Sequence, residues 1–316
     1  MDRMGDDDSF RRPFPALTAE QRLHLDVNGY VVVPGTLSLD ETGSILEALQ
    51  RLKTDLIDCN YPINGIDQKV GRSVPATEAS IRVRGATLLK GLPHHVYLGS
   101  IVEADPVITG YASHPRLVGM AEELIGGEAR IVEVNAHINS CDPEADFSVP
   151  ANFGFHRGTD VPFSTHFDGG LFHCNFVKTL TNLTEIGPDD GGTVVIAGSH
   201  KIAQPTEDLI ACAYRDRSLI HQMIAPAGST LLFSETLIHA TGQIRSDQER
   251  AIVICGYAPT MYQSWDDGDL SEKFITSLPK RYRRLFLGRR NWERCPQYRS
   301  LADSAAGGTF SLPEWS

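Results

Sequence analysis

The sequence has no run of 18 apolar residues, so no segment of it reads as a membrane-spanning helix. Its start, Met1 to Pro13, is rich in Asp and Arg and lacks the apolar stretch of a signal peptide, so it reads as a loose tail. Cysteine is sparse and scattered. Cys59, Cys141, Cys174, Cys212, Cys255 and Cys295 form no C-x-x-C pair, which argues against a disulfide framework and for reduced thiols in a cytoplasmic protein. Asn182-Leu183-Thr184 matches a glycosylation sequon, but with no secretion signal the match is read as chance. Positive charge is in deficit: 29 Lys and Arg stand against 40 Asp and Glu, a net charge of −11. Phosphate backbones need clustered cations, so the balance argues against a nucleic-acid-binding surface but not against a local basic pocket for a small anion. There is no G-x-S-x-G, P-loop or G-x-G-x-x-G, and no internal repeat.

What remains is ordinary globular composition, with 41% hydrophobic and 22% charged residues, enough to bury a full core. Thr18 to Gln21 predicts a capping box opening a helix to about Val27, stopped by Asn28-Gly29. Tyr30 to Pro34 predicts a strand, and Ser38 to Glu41 a second capped helix to about residue 57. Residues 58–100 predict no definite element. A third helix is expected from Pro115 to Ile125, ended by Gly126-Gly127. Strands are then expected at Arg130–Ile138, Phe172–Leu183, Thr193–Ala197, Thr230–Phe233 and Ala251–Tyr257, and a basic helical segment from Ser271 to Trp292. Helices followed by short strands, without β–α alternation, point to an antiparallel sandwich or barrel flanked by helices.

The chemistry is carried by few residues. In Thr165-His166-Phe167-Asp168-Gly169, a strand would turn His166 and Asp168 to one face, within reach of one ion. His239, after an apolar segment, is the best third ligand; two histidines and a carboxylate make the facial triad of non-haem iron oxygenases. Arg250, eleven residues further on, opens a strand, and its guanidinium suits the distal carboxylate of a keto acid chelated at the metal. Asn135 and His137, on the strand before the site, are candidates to touch cosubstrate or substrate, and His173 to line the pocket. His94 and His95 read as loop decoration, His200 as a structural hydrogen-bonding residue, and the cationic residues Lys280 to Arg290 as a solvated helix face.

Together with the turn-and-strand stretch Asp190-Gly191-Gly192 to Gly198-Ser199-His200-Lys201, these features resemble the phytanoyl-CoA dioxygenase family of Fe(II)- and 2-oxoglutarate-dependent oxygenases, over roughly Leu17 to Pro259. The resemblance implies a mainly β fold with flanking helices, a cupin-like double-stranded β-helix or jelly roll. It implies a single domain over residues 14–316, its jelly-roll core at about 128–260. It also implies His166, Asp168 and His239 as Fe(II) ligands, Arg250 as the 2-oxoglutarate anchor with Thr241 assisting, and O₂ as co-reactant. Related halogenases have a small residue in place of the carboxylate; with Asp168 present, oxygen insertion is expected instead. The expected reaction is hydroxylation of a small molecule, releasing succinate and CO₂, with no membrane or nucleic-acid partner and with self-association left open. Desaturation, cyclisation, epimerisation or demethylation on the same cofactors remain alternatives. So do a cupin-like hydrolase or isomerase, which would leave Arg250 without a role, and a non-catalytic binding scaffold.

Overall fold

The computed structural model describes residues 16–58, 83–158, 164–168, 170–264 and 270–288; the tail expected over residues 1–13 lies outside them. Helix α1 (Ala19–Asn28) begins at the expected capping box: the Thr18 hydroxyl accepts from Gln21 N, and the Gln21 side chain accepts from Thr18 N. It ends at Gly29, whose φ of 85° is left-handed and whose Cβ, if present, would lie 2.5 Å from Nδ1 of His200. Gly29→Ala should therefore cost at least about 1–2 kcal/mol for the backbone alone. Urea denaturation reads this, and an unshifted midpoint would contradict it.

Strand β1 (Tyr30–Val33) follows, then α2 (Leu39–Asp58), capped by the reciprocal Ser38–Glu41 pair and burying Ile45, Leu49, Leu52 and Leu56 along one stripe. Two strands, β2 (Thr87–Leu92) and β3 (His95–Gly99), form a hairpin where the sequence predicted no element. Their Gly and Lys positions mask the β pattern, and the hairpin is held by pairing to a distant strand. Helices α3 (Pro106–Ala112) and α4 (Pro115–Ile125) each start on a proline, and α4 ends at left-handed Gly126.

The strands that follow are β4 (Ala129–Asn139), β5 (Thr165–Asp168), β6 (Leu171–Cys174), β7 (Val177–Asn182), β8 (Val194–Ile196), β9 (Ile220–Gln222), β10 (Thr230–Ser234), β11 (His239–Ala240) and β12 (Arg250–Pro259). Helix α5 (Thr206–Arg215) lies between β8 and β9, and α6 (Glu272–Ser277) and α7 (Lys280–Leu287) follow β12. The single strand expected over Phe172–Leu183 is two, because Asn175 and Phe176 turn to bond elsewhere: Asn175 N to Ser164 O and Phe176 O to Glu235 N.

A seven-stranded sheet runs β1-β10-β7-β12-β4-β3-β2, and a second runs β11-β8-β9, all pairs antiparallel; β5 and β6 make a separate hairpin. This is the expected jelly roll with flanking helices. Alternation along the strands divides the large sheet into two faces. Val134, Ala136, Val253, Cys255 and Tyr257 pack outward in one core with Leu117, Leu124 and Ile125 of α4. Leu180, Leu231, Phe233, Ile252 and Ile254 point inward, with Val195 and Leu237, in a second core inside the barrel. The basic α7 buries Tyr282, Leu285 and Phe286, while Lys280 and Arg284 are exposed, Arg284 pairing with Glu128 at 3.4 Å, as on the outer face of a packing helix.

Three histidines outside the barrel are buried. His114 caps α4 through Arg116 N, His173 meets Leu124 O at 3.1 Å, and His200 meets Asp26 O at 3.2 Å. Burial pushes each down to about 4. A histidine kept neutral in the fold takes up its proton only on unfolding. Stability is therefore full above the unfolded value near ~6.5 and falls as pH drops toward the folded value. Each should contribute a slope on the order of 1.4 kcal/mol per pH unit in that window. Denaturation midpoints measured from pH 7 to 4.5 test this, and a flat profile would refute it.

Candidate functional site

The inward face of β4 carries Glu133, Asn135, His137 and Asn139, and β12 lies against it with Ile252 opposite His137 and Arg250 opposite Asn139. Strand alternation therefore places Arg250 at one end of the barrel interior and Glu133 toward the other. Arg250 is 1% exposed. One of its nitrogens donates to the Thr193 hydroxyl at 3.0 Å, while Nε and Nη1 are buried without a hydrogen-bond partner. Desolvation lowers the guanidinium to about 10, still charged at neutral pH. A buried cation with two idle donors in a planar fork fits a carboxylate. The hydroxyl beside it is that of Thr193; Thr241, which the family resemblance implied in that role, is exposed.

His239 opens β11 inside the barrel, its ring edge-on to Phe233. Its Nδ1 lies 2.9 Å from Leu237 O, an acceptor, so Nδ1 carries the proton and the Nε2 lone pair is available. Burial, then the neighbouring His156, hold it well below the usual histidine range. A neutral imidazole whose other nitrogen is tied to a carbonyl is the form that binds a metal.

His156 was not singled out by the sequence. The segment 155–158 adds a further strand edge to the small sheet: His156 and His239 exchange both backbone hydrogen bonds, at 3.0 and 2.9 Å, and their rings lie 4.4 Å apart. His166 has other surroundings. It sits exposed on β5 opposite His173, the two rings stacked 5.2 Å apart, and His173 in turn feels Arg22 and Asp26 of α1. The backbone of Asp168 is opposite Leu171; its side chain lies outside the described residues.

His137 stacks on Tyr97 at 4.1 Å, with Nδ1 3.4 Å from His95 Nε2; burial and the nearby His95 hold it well below the usual range. Asn135 is engaged by Ser100 N, Tyr97 and Glu133. Toward the same end as Glu133, Lys178 lies 2.9 Å from that residue and 3.3 Å from Glu235. Burial works against this ammonium, but the two carboxylates outweigh it and keep it above its usual range. As the side chains stand, no three His, Cys, Asp or Glu among the described residues are grouped closely enough to hold a metal. The available His239 nitrogen has the chemistry of an iron ligand, and the idle donors of Arg250 have that of a partner for a keto acid's carboxylate.

The profile of the phytanoyl-CoA dioxygenase (PhyH) family matches residues 25–252, which include His239 and Arg250. The chain belongs to the phytanoyl-CoA dioxygenase family. As a family member it is an Fe(II)- and 2-oxoglutarate-dependent oxygenase. No curated protein matches it by sequence. Among solved structures it is similar to HygX from Streptomyces hygroscopicus with nickel and 2-oxoglutarate bound, at 23% identity and a TM-score of 0.59, over 79% of this chain and 90% of that one. It is similar also to EctD from S. alaskensis with bound Fe, at 19% identity and a TM-score of 0.57, over 87% and 85%. A third is SnoN, the epimerase from nogalamycin biosynthesis, at 19% identity and a TM-score of 0.52, over 81% and 86%. These likenesses place the fold. No helix among the described residues is long and apolar enough to cross a membrane.

Proposed function

We propose that this phytanoyl-CoA dioxygenase family member hydroxylates a small organic molecule, R–H + 2-oxoglutarate + O₂ → R–OH + succinate + CO₂, with His239 as an iron ligand and Arg250 as the anchor of 2-oxoglutarate. The observation that carries the reading is Arg250: a buried guanidinium with two idle donors calls for an anion of its own size. When bound, iron supplies the activation of O₂ and the oxidising power; the residues hold and orient. Arg250, steadied by Thr193, receives the distal carboxylate and so directs the keto acid's other end toward His239. His239 presents Nε2 because Leu237 O fixes its tautomer. Tyr97 and His137 form a stacked wall for substrate. Ile252, Ile254, Phe233 and Leu237 keep the interior apolar, which excludes water from the reacting atoms.

HygX is known with hygromycin B bound and SnoN with nogalamycin RO, which supports a small-molecule natural product as the substrate class, and with it a role in specialised metabolism. A second outcome is favoured by two neighbours on the same fold, the epimerase SnoN and the carbocyclase SnoK. Residence in the cytoplasm belongs to the same proposal, on the scattered cysteines. The test is anaerobic addition of Fe(II) and 2-oxoglutarate, watched for the weak visible charge-transfer band, followed by O₂ and measurement of succinate. No band with iron demonstrably bound would overturn the reading. Product mass then separates hydroxylation from the rest, since only hydroxylation adds one oxygen.

A further inference from the structure

Resting on the oxygenase reading, we infer that the substrate carries a protonated amine, received inside the barrel by Glu133 and Glu235, the two carboxylates that share Lys178. In the large sheet Gly256 of β12 stands between Glu133 of β4 and Lys178 of β7, paired with both. A Cβ on Gly256 would lie 2.6 Å from Glu133 Cγ, so the glycine lets the glutamate cross toward the lysine. Glu235 arrives from the turn after β10, where its carbonyl accepts from Gly158 N at 2.9 Å. A Cβ on Gly158 would fall on Glu235 Oε2: the carboxylate stands in the space a side chain at 158 would take. Both carboxylates thus pass a glycine on the way to one ammonium.

The charges of this group do not balance. Lys178 lies 2.9 Å from Glu133 and 3.3 Å from Glu235, and no other cation among the described residues pairs with either. One negative charge is left over. Asn135 donates to Glu133 Oε2 at 2.9 Å, but Glu235 Oε1, in a residue 1% exposed, accepts no hydrogen bond. A buried carboxylate in that state calls for a donor that is also a cation. The proposed cosubstrate chemistry does not supply one: Fe(II), one carboxylate ligand, the 2-oxoglutarate dianion and Arg250 together are neutral. Substrate is the remaining source, and an ammonium brings three N–H donors to the two carboxylates.

The group stands where a substrate would reach it. The Lys178 charge bears on both His239 and His137, helping to hold each imidazole neutral, so it lies within electrostatic reach of the proposed iron ligand and of the wall that Tyr97 makes with His137. The Lys178 side chain keeps 17% of its surface accessible and that of Glu133 8%, so the group borders open space instead of being sealed in a core. An amine held there keeps the rest of the molecule near both the aromatic wall and His239. Lys178 is engaged by both carboxylates, so an anionic substrate would meet net negative charge.

The test is calorimetric titration of the full-length protein, loaded with Ni(II) and 2-oxoglutarate so that no turnover occurs, with benzylamine, benzyl alcohol and benzoate. The three share a ring suited to the aromatic wall and differ in charge. Benzylamine should bind at least about tenfold more tightly than the other two, the worth of a hydrogen bond to a charged group. Glu133→Gln and Glu235→Gln should each abolish that preference, because the remaining carboxylate is then neutralised by Lys178. The order of affinities in the wild type needs no variant to be read. Benzylamine that fails to bind at millimolar concentration, equal affinities, tighter binding of benzoate, or an amine preference that survives both substitutions overturns the inference. The oxygenase reading is judged separately, by the charge-transfer band with Fe(II): a band without amine preference removes only the cation subsite, and no band with iron bound removes the oxygenase.

Discussion

Arg250→Met is expected to weaken 2-oxoglutarate binding by about 30-fold or more while leaving iron uptake in place. Truncating one partner of a buried charged pair costs about 2–5 kcal/mol, and 1.4 kcal/mol is tenfold. The effect should fall on the cosubstrate alone, because Arg250 contacts Thr193 and no residue proposed as an iron ligand. A second consequence has the opposite sign. Without its carboxylate, Arg250 is a buried cation with idle donors, so a side chain of similar length without charge should raise the stability of the cosubstrate-free protein. Titration of the charge-transfer band gives the first number and thermal unfolding without 2-oxoglutarate gives the second. Unchanged 2-oxoglutarate affinity would remove Arg250 from the site.

His239→Ala is expected to abolish iron binding and, with it, the charge-transfer band and succinate release. Its Nε2 is the available histidine nitrogen in the barrel interior whose tautomer is set by a backbone carbonyl, through Leu237. Removing an imidazole from between Phe233 and His156 also opens a cavity, so some loss of stability accompanies the change. His239→Gln keeps most of the volume and separates the two effects. Iron retained by both variants would exclude His239 as a ligand and leave the family's chemistry without a centre in this barrel.

Much of the architecture is local and therefore readable along the chain. The capping boxes at Thr18 and Ser38, the left-handed Gly29 and Gly126, and the proline that starts α4 each act within one turn of helix, and each is where the spacing places it. Strands β4 and β12 carry β-branched runs, and β10 an apolar one, long enough to declare themselves. The hairpin β2–β3 and the two-residue β11 are not, because their pairing partners β4 and β8 lie far away in sequence and supply most of what holds them.

The site divides along the same line. His239 and Arg250 could be chosen from the sequence because a fixed loop and strand carry one to the other, and the barrel holds both. Thr193 in place of Thr241 beside Arg250 depends on where the residue just before β8 lies relative to β12, which no local spacing reports. The pattern His166-x-Asp168 satisfies every local requirement of a chelating strand. Yet the side chain that meets His239 belongs to His156, and the carboxylate against Gly158 belongs to Glu235. Neither contact has a signature in spacing, since both arise from pairing segment 155–158 with 235–239 across some eighty residues of chain. Fold class and family are thus properties of short-range pattern. Which side chains meet inside the barrel is a property of long-range strand register, where the faces of two strands must be known together before any side chain can be said to meet another.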